Sequence, residues 1–242
     1  VGGLTNEIDW AAIQAAVNYL SARGGGCAYV PATGAFYRLD GYPILLRDNV
    51  TISGDGSNSL IRNVKGSSST FMDQAVILPG NYHPEFLNSL TYDSASNVTA
   101  GDIVVTLAST AGYAVGQTIV VRTNDFTPAS ITDISAWMRF YRVLDLDATT
   151  LTLDAPIDET QSSIVVARTN DQINWRNIAN HTRQKCYVCY RGRVENIAIQ
   201  SDRFWCGDSA ALETSFENVF IRAEVGVYCN GMQRSSWKTI SG

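Results

Sequence analysis

Glu195-Asn196-Ile197-Ala198-Ile199 and Glu217-Asn218-Val219-Phe220-Ile221 say nearly the same thing 22 residues apart. Asp48-Asn49-Val50-Thr51-Ile52, Arg176-Asn177-Ile178-Ala179 and Lys238-Thr239-Ile240-Ser241 repeat it elsewhere. The Asn stands at 177, 196 and 218, and Thr239 takes its place next, so the steps are 19, 22 and 21 residues. A period near 20 with one short strand per step is the signature of a solenoid, in which each unit buries its apolar face only against its neighbours. The Asn suits a tight bend, because its short amide bonds locally and tolerates left-handed backbone angles. The two aliphatics that follow, two positions apart, leave the strand on the same side, into a stacked core.

The rest of the composition excludes several classes. The chain has 242 residues, long enough for one large all-β domain or two smaller ones. A formal net charge of -5, from 18 basic and 23 acidic residues, provides no footprint for nucleic acid. No apolar run is long enough for membrane insertion, and no signal peptide is evident. The sequence runs from Val1 to Gly242, stopping within a repeat, and so reads as a piece of something longer. Cysteines at 27, 186, 189, 206 and 229 are odd in number and irregular in spacing, which is no disulfide framework. Cys186-x-x-Cys189 lacks a second pair, with His181 the one nearby imidazole, so a zinc ligand set is not visible. Buried free thiols acting as small apolar residues fit better, and free thiols suit a protein folded in a reducing cytosol. The sequons at Asn49, Asn97 and Asn180 are what chance supplies.

Along the chain, Asp9 reads as the cap of a helix whose Ile13, Ala16, Val17 and Leu20 share one face. Gly24-Gly25-Gly26 stops it, and Cys27–Pro31 follows as a strand. The stretches Phe36–Leu39 and Tyr42–Leu46 continue around a coil to Asn49-Val50-Thr51-Ile52-Ser53-Gly54-Asp55-Gly56. This succession, from Ala11-Ala12-Ile13-Gln14-Ala15-Ala16 through Gly24-Gly25-Gly26 and Tyr29-Val30-Pro31, resembles the start of pectate-lyase-like right-handed parallel β-helices. That set includes secreted polysaccharide lyases and hydrolases and the tailspike depolymerases of bacteriophages. The resemblance covers residues 5–63, and 173–242 through the repeat. It implies an all-β, right-handed parallel β-helix whose open end is capped by the N-terminal helix. It does not specify a reaction, because one scaffold carries several chemistries.

Four segments follow from this reading: cap helix and first rungs over 1–63, an irregular connection over 64–95, an inserted β-rich subdomain over 96–169, and further rungs over 170–242. In the insertion, Asp102–Leu107, Gln117–Val121 and Thr150–Asp154 read as antiparallel hairpin strands. Trp137, Phe140 and Tyr141 either form an exposed arm or pack the insertion. In the last segment Ile197, Ile199, Val219 and Ile221 point inward. Ala198, Gln200, Phe220 and Arg222 point outward beside Thr51 and Ser53, lining a shallow groove suited to an extended polymer. The Asn column is placed to form an amide ladder between rungs.

Glycan hydrolysis needs two carboxylates flanking the bond. Elimination needs a base beside a uronate and a cation or metal to neutralise its carboxylate. Asp202, Asp208, Glu213 and Glu224 are the candidate catalytic residues, and Arg222, Gln200, Phe220 and Trp205 the candidate substrate-binding ones. Loop carboxylates are ordinarily just solvated, and these four form no assignable motif. Glu195 and Glu217 recur with the repeat and read as turn residues. No cofactor or metal site is evident, and calcium is left open. Three functions are consistent with this sequence. The first is a tailspike-like polysaccharide depolymerase at the virion surface, for which the resemblance implies a homotrimer. The second is a secreted lyase, glycoside hydrolase or epimerase, and the third a non-catalytic fibre or adhesion segment.

Overall fold

The computed structural model describes residues 7–64, 75–81, 90–124, 137–169, 187–201, 204–206, 210–223, 225–227 and 231–241. The chain forms two compact units, residues 1–82 with 188–242, and residues 83–187. The first unit begins with α1 (Glu7–Ser21), β1 (Gly26–Val30), β2 (Phe36–Leu39), β3 (Ile44–Leu45), β4 (Val50–Asn63), β5 (Ile77–Leu78) and β6 (Gly80–Asn81). The second contributes β7 (Tyr92–Ser94), β8 (Val104–Thr106), β9 (Thr118–Thr123), β10 (Met138–Leu146), β11 (Thr150–Leu153) and β12 (Ile164–Arg168). Then come β13 (Tyr187–Tyr190), β14 (Arg193–Ser201), β15 (Phe204–Cys206) and β16 (Ala210–Leu212). The last are β17 (Ser215–Arg222), β18 (Val225–Val227), β19 (Gly231–Gln233) and β20 (Ser236–Ser241).

Helix α1 packs on β1, β2 and β3. Its buried face carries Ile13, Gln14 and Val17, while Ala16, expected there, is exposed. Gln14 takes that buried place because its amide satisfies strand backbone. Leu45 N–H donates to Gln14 Oε1 at 2.7 Å, and Gln14 Nε2 donates to the Leu45 carbonyl at 3.2 Å. Asp9 is not the cap: it lies on the third helical residue and accepts the Arg38 N–H at 3.1 Å, tying helix to β2. The helix stops where Gly25 N–H bonds the Leu20 carbonyl. Gly25 has φ 131°, and a Cβ there would come 2.5 Å from the Asn49 carbonyl oxygen, so the close approach requires glycine.

Three parallel ladders follow. The longest runs β1-β4-β14-β17-β20, with β2 also on β4; the others run β19-β16-β13-β6 and β18-β15-β5-β3. From β13 onward the chain visits them in one recurring order, β13-β14-β15, then β16-β17-β18, then β19-β20. The segment 64–95, read as irregular, thus supplies β5 and β6 to these ladders and β7 to the second unit. The inward side chains of both legs, Ile52, Ile61, Val194, Ile197, Ile199, Phe216 and Val219, are all fully buried.

Long strands turn a corner within themselves. In β14, residues Arg193–Glu195 pair with Thr51–Ser53 of β4, while Ala198–Ser201 pair with Leu60–Asn63. Between the two legs stands Asn196 at φ 50°, with Asn218 at φ 52° and Thr239 at φ 51° in the same place on β17 and β20. Asn218 Nδ2 donates to Asn196 Oδ1 at 3.0 Å, so the amide ladder links the two rungs. Asn49, however, belongs to a different column. Thr51 lies opposite Arg193, which aligns Asn49 (φ 57°) with Arg191 (φ 52°), Glu213 (φ 54°) and Arg234 (φ 51°) at an earlier corner. Two columns of left-handed residues therefore turn the chain. Only one of them is written in asparagine.

The second unit is antiparallel throughout, in the order β7-β12-β9-β10-β11-β8. An antiparallel bridge between Ala95 and Leu107 joins the two outer strands, so the six close into a ring. Strand β10 serves both neighbours through a register shift between Val143 and Asp145. Its interior is filled by Val105, Ile119, Val121, Val143, Leu151 and Val166, with Trp137 and Tyr141. Trp137 and Tyr141 belong to that core, and Phe140 is buried on the other side of β10 beside Val120, so none of these three rings is exposed; residues 125–136 of the suggested arm lie outside the described residues. Trp137 Nε1 is satisfied by Asp158 Oδ1 at 2.9 Å.

The shared corner yields a direct test. Asn218→Ala loses the inter-rung amide bond and places an alanine at a left-handed angle, with an expected loss of about 1–2 kcal/mol. Asn218→Gly keeps the backbone angle and should cost less. Chemical denaturation would measure both, and an alanine variant as stable as the parent would remove the corner's importance.

Candidate functional site

The outer face of the longest ladder divides into two legs, one with its charges paired and one with a row of cations. On the first leg, alternation turns Val50, Ile52, Val194 and Phe216 inward, and their neighbours outward. The register aligns Cys27, Thr51, Arg193, Ser215 and Ser236 in one outward row, and Tyr29, Ser53, Glu195, Glu217 and Lys238 in the next. Glu195 and Glu217 are therefore strand residues just before the corner, not turn residues. Arg193 neutralises both: Nη2 bonds Glu217 Oε2 at 2.6 Å, and Nε lies 2.7 Å from Glu195 Oε2 without hydrogen-bond alignment. Cys27 is exposed, against the expectation of a buried thiol, and Cys189 is buried. Partial desolvation, and secondarily the Glu195 charge, push the Cys27 thiol above its ordinary pKa.

The second leg carries three of the four sequence-derived candidate binding residues, Gln200, Phe220 and Arg222, and more. Ile61 and Ile199 point inward, fully buried. The outward rows are Phe36, Leu60, Ala198 and Phe220, and beside them Arg38, Arg62, Gln200 and Arg222. Gln200 and Phe220 are thus brought together with Arg222 on one face. Their neighbours are Leu60 and Arg62, not Thr51 and Ser53, because residues 55–59 widen the corner of β4 before its second leg. Ala198 faces outward yet is 5% exposed. The Phe220 ring explains this, since it reaches across toward β4, where a Cβ on Gly56 would meet it at 3.9 Å. Arg62 lies over the Phe36 ring, 5.3 Å from its centroid. Phe36 and Phe220 are each 38% exposed, leaving an apolar row open to solvent.

Phe36, Arg38, Leu60 and Arg62 escaped the sequence reading. The signal was present as Phe36-Tyr37-Arg38, Leu60-Ile61-Arg62, Ala198-Ile199-Gln200 and Phe220-Ile221-Arg222, a second repeat offset from the Asn. Aligning every rung on asparagine concealed it.

Glu213 is not beside Arg222. It occupies the earlier corner, where Arg191 Nε donates to its Oε2 at 2.7 Å and Arg234 Nη1 lies 3.5 Å from Oε1. Asp202, Asp208 and Glu224 lie outside the described residues, and Trp205 is described only as part of β15. In sequence, Asp202 and Glu224 each stand two residues past the paired Gln200 and Arg222. No group of His, Cys, Asp and Glu suited to a metal occurs among the described residues. No described helix is long and apolar enough to cross a membrane.

At the widened corner, Asp55 accepts hydrogen bonds from the Tyr29 phenol and from the Ala32 N–H, the latter at 2.8 Å. These two donors lower the Asp55 pKa, the phenol contributing most. The same bond, with some desolvation, raises that of Tyr29. Tyr29 is 58% exposed and held beside the first leg.

No protein-family model matches the chain. Among solved structures it is similar to the tailspike gp61 of Pseudomonas phage phi297, at 15% identity and TM-score 0.55, over 91% of this chain and 32% of that one. It is also similar to the tailspike protein gp49 of Pseudomonas phage LKA1, at 16% identity and TM-score 0.56, over 99% of this chain and 41% of that one. The gp54 tailspike of Acinetobacter baumannii bacteriophage AP22, in complex with capsular saccharide, reaches a TM-score of 0.42 at 11% identity, too loose a likeness to bear on this chain. The chain thus spans less than half the length of these tailspikes. At such identities the likeness speaks to the fold alone: a mostly β, tailspike-like architecture.

The Tyr29–Asp55 bond has a pH signature. Its contribution is fully present between the ordinary carboxylate and phenol pKa values; it is lost as pH falls through the lowered Asp55 value and as pH rises through the raised Tyr29 value. Tyrosine-resolved titration should find Tyr29 above the ordinary range in the parent, and lower in Asp55→Asn. Identical titration in both proteins would show that the bond does not form in solution.

Proposed function

We propose that this chain is the glycan-facing part of a tailspike-like depolymerase, binding an extended surface polysaccharide along the second leg and cleaving it. In this reading the three ladders wind as one right-handed parallel β-helix of the pectate-lyase-like kind, the hand that parallel crossovers overwhelmingly take. The recurring order of ladders and the helix packed on the first strands support it. The observation that carries the binding reading is the pair of outward rows, apolar Phe36, Leu60, Ala198 and Phe220 beside polar Arg38, Arg62, Gln200 and Arg222. Sugars present apolar ring faces and polar edges, and a row of each, repeating at the rung spacing, matches a chain rather than a compact ligand.

The candidate acids stay those of the sequence: Asp202 and Glu224, which follow the second leg in sequence, with Asp208 and Glu213. A general acid or base among them, with Arg222 as a charge partner, serves hydrolysis or elimination equally well. Calcium is the metal that an elimination would recruit to neutralise a uronate. A homotrimer on a phage tail, the solenoids sharing an axis, completes the proposal.

Incubation of the protein with purified bacterial capsule and with pectin-like glycans tests it. New reducing ends indicate hydrolysis, and absorbance from an unsaturated uronate indicates elimination. At least one of Asp202→Asn, Asp208→Asn, Glu213→Gln and Glu224→Gln should lower turnover by about 10²-fold or more. Phe220→Ala should weaken glycan binding about tenfold while leaving the fold intact. Binding without any product would favour an adhesion segment, and neither binding nor product would overturn the reading. Light scattering on the native protein decides the trimer.

A further inference from the structure

We infer that the row Arg38, Arg62, Gln200 and Arg222 is a carboxylate-binding rail, and that the glycan it takes is an acidic polysaccharide; this rests on the polysaccharide reading above. The four residues lie on successive strands of one parallel ladder, β2, β4, β14 and β17. Adjacent strands are about 4.8 Å apart, so Arg62 and Arg222, two strands apart, present their charges at intervals of roughly 10 Å.

Arg38 and Arg62 stand directly opposite each other. Like charges in that position destabilise a sheet, so nothing in folding alone favours the pair. No described carboxylate relieves it: the described ion pairs engage Arg139, Arg191, Arg193 and Arg234, and none engages Arg38, Arg62 or Arg222. The contrast with the first leg is sharp, since there Arg193 bridges two glutamates on the same ladder. The Nε groups of Arg38 and Arg62 are moreover covered and without a hydrogen-bond partner. A donor withdrawn from water and left unmatched is costly, and a partly desolvated guanidinium attracts an anion more strongly than one in bulk water.

A carboxylate is the anion that suits this row. The guanidinium fork matches its two oxygens, and one carboxylate seated between Arg38 and Arg62 would offset their mutual repulsion. Gln200 interrupts the cations with a neutral amide that donates to a carboxylate or a hydroxyl and accepts from a hydroxyl. The flanking apolar row gives the sugar rings a surface, with Arg62 already stacked over Phe36. The chain as a whole carries a net charge of -5, so an acidic polymer is repelled by the average surface and drawn to the rail.

The test uses the full chain and two forms of one polymer, polygalacturonate and its fully methyl-esterified counterpart, immobilised at low ionic strength. The parent should bind the acidic form at least about tenfold more tightly, as expected for one charge-assisted contact, and added salt should erode the difference. The double variant Arg62→Gln with Arg222→Gln should lose that preference while keeping its circular dichroism spectrum and thermal midpoint. Lys238→Gln, the same change of charge on the first leg, should retain it. Equal affinity for both polymers, weakened for both by Phe220→Ala, would overturn the acidic assignment and leave the polysaccharide reading standing. Binding to neither polymer nor to capsule would remove both. A double variant with unchanged preference but altered mass by light scattering would mark the row as an interface between copies of the chain, and overturn the proposal.

Discussion

Each rung of the first unit has to turn its chain where the rung beside it turns, or the hydrogen-bonded register between them fails. That requirement is met by residues in the left-handed region, stacked at φ near 50° at both corners of the long strands. An L-residue other than glycine occupies that region at a cost, least for asparagine. At the second corner the cost is offset by the bond from the Asn218 amide to Asn196. At the first corner, charged residues take the same conformation, and Arg191, Glu213 and Arg234 are held in line by ion pairs between rungs. The register, the buried stack of Ile52, Val194 and Phe216, and the straight outward rows all depend on those shared corners.

Straight rows are what convert a repeat into a surface. Once Thr51 is opposite Arg193 and Leu60 opposite Ala198, every outward side chain has a fixed neighbour on the next rung. The same geometry then produces opposite outcomes on the two legs. Glutamates facing an arginine cancel on the first, whereas arginines facing each other accumulate charge on the second. The size of each neighbour matters equally: Ala198 is small enough for the Phe220 ring to lie across it, and the apolar row is continuous for that reason. The second unit follows a different rule. Its antiparallel strands close into a ring through Ala95 and Leu107, and a ring presents few raw edges while burying its aromatic side chains.

The strand repeat and the N-terminal helix were legible before any coordinates, because each has a local cause; the expected burial of the thiols holds for Cys189 and fails for Cys27, which is exposed. Periodicity reports burial, and glycine runs report backbone angles. The helix start was misplaced because Asp9 suits a cap by type, yet its carboxylate is engaged by the distant Arg38 N–H. Gln14 was invisible as a core residue because its burial depends on the backbone of Leu45, 31 positions away. Among the candidate binding residues, Gln200, Phe220 and Arg222 were identified correctly as outward neighbours. Their partners Arg38 and Arg62 were not, since four extra residues at the corner of β4 shift the alignment of that rung.

By itself, then, the sequence determined that this chain is built of short stacked strands with an Asn at a recurring bend, since bend chemistry and inward aliphatics are properties of a few adjacent residues. Tertiary structure alone decided which bend each Asn serves, which charges cancel and which remain. Asn49 and Asn196 have the same local pattern but stand at different corners. Arg193 and Arg62 are the same residue type on the same ladder, one neutralised and one not. Those distinctions arise from pairing between rungs as much as 142 residues apart, as between Thr51 and Arg193, and no local reading contains them.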